Sequence, residues 1–213
     1  MAIESLIDRI DAELAAADER AQQLKSQQAE AYLGRQQRLE EFGQTVERLS
    51  AIWRPRLEAL AQKFGERVDT HPVVEPSRRS CLFAFRSELA KIDLTFSVAP
   101  DPDVRNLIVS YDLKILPILM KFDSHSEVDF PLDAVDEDAL ASWIEDRIVG
   151  FVQTYVALHE NNYYLKDHMV VDPVAKVSFP KYAAAATLNV GGETFYFIDE
   201  STRSEFEQQS AAK

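Results

Sequence analysis

The stretch 91-KIDLTFSVAPDPDVRNLIVSYDLKIL-116 decides the architecture of the middle of this chain. Ile92, Leu94, Phe96 and Val98 alternate with Lys91, Asp93, Thr95 and Ser97, the period of two expected of a half-buried strand. Leu107, Val109, Tyr111, Leu113 and Ile115 repeat the pattern against Ile108, Ser110, Asp112 and Lys114, and Pro100-Asp101-Pro102-Asp103 reads as the turn between the two runs. Cys81, Phe83 and Phe85 make a strand before them. After Pro117 the phase shifts, so Ile118, Met120 and Phe122 are expected to continue as a bulged edge, with a further short strand over 128–132. Strands that follow one another without intervening helices belong to an antiparallel sheet.

C-terminal to these strands the period changes. Leu140, Ile144, Ile148, Phe151, Tyr155 and Leu158 recur at helical spacing, behind acidic residues at Asp133, Asp136, Glu137 and Asp138 that suit a helix N-terminus. Its apolar face is expected to cover the sheet, and the helix to end near Asn161-Asn162.

N-terminal to the strands, residues 2 to about 67 read as helix. Ile3, Ile7, Ile10, Leu14, Ala17, Ala21 and Leu24 recur at alternating steps of four and three, a narrow stripe of coiled-coil type. The stripe lapses at Gln28 and Arg35 and resumes, with one extra step of four, at Leu39, Phe42, Val46, Leu49 and Trp53. Pro55 should break or kink this helix, so a hairpin or kinked pair near 50–55 is expected over one bent rod, with a second helix through Leu57, Leu60, Phe64 and Val68. Residues 71–79, carrying Pro72 and Pro76, are expected to form the loop that ends the arm. A stripe of this width is buried by a second helix: self-association through Ile3, Ile7, Ile10, Leu14, Leu24, Leu39, Phe42, Val46 and Leu49 is expected over folding back on the body.

The last segment, 167-DHMVVDPVAKVSFPKYAAAATLNVGGETFYFIDESTRSEFEQQ-209, reads independently as a hairpin about Gly191-Gly192 followed by a short helix begun at Asp199 or Ser201. Three of its features resemble the YHS domain, a small module related to the TRASH-type metal-binding domains: Asp172-Pro173-Val174, the hairpin after Ala183-Ala184-Ala185, and Phe195-Tyr196-Phe197 leading to a helix that contains Phe206. In metal-binding members cysteines follow the DPV and flank the final helix; here those places hold Ala175, Ile198 and Thr202, none able to supply a thiolate. The resemblance therefore implies a retained fold with a lost or replaced site.

The expected architecture is α+β: a helical, coiled-coil-like arm over 1–70, an antiparallel sheet plus covering helix over 71–166, and a YHS-like β-hairpin module over 167–213. The net charge of −13 disfavours nucleic acid and anionic membranes, and no segment escapes it, the three carrying −3, −7 and −3. A single cysteine, Cys81, excludes an intrachain disulfide and a multi-thiolate zinc site and suits a reducing compartment. The N-terminus lacks an apolar signal-peptide core and no run could span a bilayer, so a cytoplasmic location is expected.

No catalytic signature is recognisable. His71, His125, His159 and His168 are scattered, Asp123-Ser124-His125 is an adjacency rather than a triad, and no phosphate-binding glycine loop exists. Cys81, alternating with two phenylalanines, reads as a packed thiol. A metal site could assemble only in space, from His168 and Asp172 with Asp167; exposed loop residues are the plainer reading, and no metal or cofactor is expected. The leading expectation is a non-catalytic oligomerisation or protein-interaction protein; the alternative is a small-ligand or metal-binding accessory protein, and an enzyme of unfamiliar type comes third.

Overall fold

A computed structural model describes residues 2–211, and side chains from Ile7 to Ser210. The core is a five-stranded antiparallel meander of β1 (Val68–Glu75), β2 (Arg78–Phe85), β3 (Lys91–Pro100), β4 (Asn106–Leu116) and β5 (His125–Pro131), ordered as in the chain. Register follows the alternation: Cys81 lies opposite Phe96 and Phe96 opposite Tyr111, with Phe83, Leu94 and Leu113 in the next row. One face of the sheet thus presents phenylalanine, leucine and valine, and the other serine, threonine and aspartate. At the β3–β4 turn the Asp101 carboxylate accepts from the Arg105 and Asn106 amides at 2.7 and 3.2 Å, fixing the loop that the Pro-Asp repeat announces.

Two helices cover the apolar face. α2 (Glu137–Glu160) starts at Asp136, whose side chain accepts from the Ala139 amide at 2.9 Å, and buries Leu140, Ile144, Phe151 and Leu158. α1 (Ala2–Phe64) is a single helix of 63 residues that runs through Pro55. The expected hairpin near 50–55 does not form. Pro55 removes only the donor that would reach the Ala51 carbonyl, and both residues are exposed, so water can satisfy that carbonyl. The opposite side of the helix holds Leu49 and Leu60 in the core, and that packing outweighs a break of about 3 kcal/mol.

The second expected helix stops at Phe64, and Val68 opens β1. The loop expected over 71–79 is instead a hairpin: Pro72 pairs with Cys81 on the edge strand, where a missing N–H costs no ladder bond, and Pro76 falls in the turn. A boundary at residue 70 would cut β1, and Phe42, Val46 and Leu49 belong to the body's core. The bulged continuation after Pro117 is also absent. That segment is irregular, tied down where Tyr164 donates to the Pro117 carbonyl (2.8 Å) and accepts from the Leu119 amide (2.9 Å), and β5 begins at His125.

Beyond α2, Asn161 caps the single turn of α3 (Asn162–Leu165). The last segment folds as two short hairpins, β6 (Met169–Val171) with β7 (Ser178–Pro180) and β8 (Ala186–Val190) with β9 (Glu193–Phe197), and then α4 (Glu200–Ala211). Gly191 and Gly192, at φ 62° and 87°, make the tight turn of the second hairpin, which only residues free of a Cβ adopt without strain. Phe206 of α4 packs on Phe195 and Phe197, at ring centroids of 4.9 and 5.5 Å. The segment docks on the body where the Tyr182 hydroxyl donates to the His159 carbonyl at 2.8 Å and the His159 ring lies against Tyr155 at 4.2 Å.

Candidate functional site

α1 divides into two halves with opposite surroundings. From Leu39 onward its stripe faces the sheet and α2: Phe42 and Leu49 are 0% exposed, and Phe64 meets the Phe85 and Tyr155 rings at 4.7 and 4.9 Å. Arg48 and Arg56 add ion pairs to Glu137 and Glu145 on α2, at 3.1 and 2.8 Å. Every residue from Ile7 to Leu33, by contrast, is exposed. Ile7 at 51% and Leu14 at 60% keep their apolar side chains in water, as do Ile10 and Leu24. The free half, residues 2–34, rises about 50 Å at 1.5 Å per residue.

The interface expected from the sequence is therefore corrected. Phe42, Val46 and Leu49 are buried inside the monomer, and Leu39 packs on the same core, because the sheet offers their side chains a wide apolar surface that a single partner helix would not. Ile7, Ile10, Leu14 and Leu24 remain available, and Ile3 lies outside the described side chains.

α1 also crosses the sheet on a slant. The Arg38 guanidinium donates to the Asp103 carbonyl at the β3–β4 turn (3.0 Å), whereas the helix ends on Phe85 beside Val68 at the far corner. The β1–β2 turn is at the same end as the β3–β4 turn, so the helix diverges from the tip of the β1–β2 hairpin. The wedge left between them is a groove of about 560 Å³. Ser50, Trp53, Arg54 and Leu57 line it from the helix, and Pro72, Val74 and Cys81 from the sheet. Val74 shares the sheet face of the core phenylalanines yet is 75% exposed, because nothing stands over it. Cys81 is half-buried on the groove floor, and burial pushes its thiol pKa up, away from the nucleophilic thiolate. Sequence reasoning missed this groove because the inward alternation of Val68, Thr70, Pro72 and Val74 was hidden by two prolines.

In the C-terminal segment Asp172 is completely buried. One carboxylate oxygen accepts from the Val174 and Ala175 amides at 2.7 and 2.9 Å, the other from the Ile198 amide at 2.9 Å and the Thr202 hydroxyl at 2.8 Å. Burial alone would raise its pKa, but these four donors prevail and hold it at about 2. A carboxylate so saturated has little capacity left for a metal. Half-buried His168 contributes backbone bonds: its amide donates to the Leu165 carbonyl and its carbonyl accepts from the Lys181 amide. Among the described residues no three His, Cys, Asp or Glu side chains converge as a metal site would require.

The other histidines are apart from one another. His125 binds Asp112 at 2.8 Å and lies 3.6 Å from Glu127, rather than facing Ser124; that hydrogen bond and the two negative charges raise its pKa. His159 faces Ser87 at 3.5 Å in the joint between body and C-terminal segment, and His71 is exposed on β1. Among the described residues no helix is long and apolar enough to cross a membrane. The chain matches no family model, no curated protein and no solved structure among those compared.

Proposed function

We propose that this is a non-catalytic interaction protein that self-associates through the free half of α1, with the α+β body and a thiolate-free YHS-like module as its presented surfaces. The observation that carries the proposal is the exposure of every residue from Ile7 to Leu33 on a helix whose apolar stripe continues into the core. Most helical stability in proteins comes from packing an amphipathic face, and a narrow stripe of this spacing is best buried against another long helix.

Support for the degenerate module comes from Asp172. The three residues at the places of the family's cysteines, Ala175, Ile198 and Thr202, each donate to its carboxylate. A closed hydrogen-bond knot stands where the resemblance would put a metal, and it does the same mechanical work of joining the opening turn to the final helix.

The test is the mass of the chain in solution by light scattering, wild type against a variant with Ile7, Ile10, Leu14 and Leu24 all changed to Gln. Wild type is expected at a multiple of the 24.2 kDa chain mass and the variant at the chain mass, with unchanged melting of the body. A wild-type monomer at micromolar concentration overturns the proposal. Deleting residues 1–70 would be uninformative, since it removes Phe42, Val46, Leu49 and Leu60 from the core.

A further inference from the structure

The exposed arm and the open groove lie on the same helix, and their positions along it are related. α1 leaves the body near Gly34, just before Arg38 meets the β3–β4 turn. That point divides α1 nearly in half, at 33 residues before and including Gly34 and 30 after it. A two-fold axis there, with two copies of α1 antiparallel, sets residue i of one chain beside residue 68 − i of the other. Ile7 of one chain then lies beside Ala61 of the other, Leu14 beside Arg54 and Leu24 beside Gln44. The helical wall of the groove runs from Val46 to Ala61, so an axis at the exit point brings Ile7, Ile10 and Leu14 onto it.

We infer that the partner of the arm is the groove of a second copy: the protein forms an antiparallel, two-fold dimer in which each arm fills the wedge between α1 and the β1–β2 hairpin of its partner. This inference rests on the self-association proposed above and specifies its geometry. Lengths agree, since Ile7 to Leu24 spans about 26 Å and Val46 to Ala61 about 22 Å at 1.5 Å per residue. Charge agrees at the centre of the groove wall, whose exposed charges run Glu47, Arg54, Glu58. Along the arm, read in the opposite direction, they run Lys25, Arg20, Glu19, Asp18, Glu13, Asp11, Arg9 and Asp8, so the acids Asp11, Glu13 and Asp18 surround the place this register gives Arg54. Neither Arg54 nor Arg79 at the groove makes an ion pair within its own chain among the described residues. A parallel pairing of arms would bury Ile7, Ile10, Leu14 and Leu24 but would leave Val74, Leu57 and Cys81 facing water. The antiparallel arrangement covers both surfaces at once, and isologous contact closes the assembly at two chains.

The single native cysteine supplies the test. Leu14→Cys in the full chain is treated with a short bismaleimide at mildly alkaline pH, and linked peptides are identified by mass spectrometry. Cys81→Ser with Leu14→Cys is the control, and circular dichroism verifies folding of both. An intramolecular link is excluded, because residue 14 is on the order of 50 Å along the helix from the groove at 1.5 Å per residue. The expected result is a dimer linked between position 14 and Cys81, lost in the control. A dimer linked only between two copies of position 14 means parallel arms: it overturns the antiparallel groove and leaves self-association standing. A dimer with neither link also overturns it. A monomer overturns both proposals, and native mass spectrometry showing a small molecule bound to that monomer would give the groove to a ligand instead.

Discussion

Asp172 shows how much one side chain can organise. Its two oxygens take four donors from three separate parts of the C-terminal segment. In Asp172→Asn one oxygen becomes an amide, which cannot accept from the Ile198 amide and the Thr202 hydroxyl, so two part-buried donors lose their partner. The expected destabilisation of the segment is about 1–3 kcal/mol, read as earlier protease cleavage between residues 167 and 209 and a lower melting temperature. The pH dependence has a definite sign. A carboxyl held at about 2 against an ordinary 3.8 stabilises the fold fully above pH 4, and that contribution is lost as pH falls toward 2. Wild-type melting should fall through this window more steeply than that of the asparagine variant; equal slopes would mean the knot is not the acid-sensitive point. His125 works in the opposite sense. Its pKa is raised by Asp112 and Glu127, so its pairing helps below the ordinary value near 6.5 and fades as pH rises through the raised one. Because the ring is exposed, the effect belongs to titration rather than stability. Asp112→Asn should move the His125 NMR midpoint down, and an unmoved midpoint would rule Asp112 out as its cause. The sequence offered Asp172 only as part of a tripeptide and as a possible ligand. Which donors would surround it depended on bringing residues 172, 198 and 202 together, which no local pattern encodes.

At the level of elements, legibility followed periodicity. Strands β2, β3 and β4 and helix α2 were readable because each alternates cleanly between one apolar face and one polar face. β1 was not, because an edge strand can carry a proline and remain exposed, removing both cues at once. α1 was legible as a helix, yet its stripe gave no sign of where one burial partner ends and another begins. A side chain at residue 14 and one at residue 42 obey the same spacing although one faces water and the other the core. The two halves should therefore answer differently to the same kind of truncation. Phe42→Ala should cost about 3–5 kcal/mol, as expected for a large side chain removed from a packed interior, and should lower the melting temperature without altering the ratio of arm cross-links among folded molecules. Leu14→Ala should leave the monomer's denaturant midpoint within error and instead shift the dimer to higher concentration. Chemical denaturation with parallel sedimentation separates the two. A substantial loss of monomer stability from Leu14→Ala would contradict the independence of the arm.

For the whole molecule, the proposed dimer would join two chains that each carry a net charge of −13. Global repulsion opposes any dimer, so attraction must come from local pattern and from apolar contact, with the pattern also choosing the orientation. The cluster of Asp11, Glu13 and Asp18 opposite Arg54 is such a pattern, and it makes a directional prediction. Arg54→Glu puts a negative charge among three others. Exposed pairs contribute about 0.2–1 kcal/mol each. With several acids facing one site and each contact made twice by symmetry, the dimer should dissociate at a roughly ten-fold higher concentration, which corresponds to about 1.4 kcal/mol. Adding Asp11→Arg and Asp18→Arg to that chain restores opposite signs and should recover most of the affinity, although neither residue lies within tens of ångströms of Arg54 in its own chain. Salt should weaken the wild-type dimer in its charged component only, because the apolar contact is not screened. If the charge-swapped chain stays as weak as Arg54→Glu alone, the arm and the groove are not facing each other, and the dimer must be built on some other pairing of the same helices.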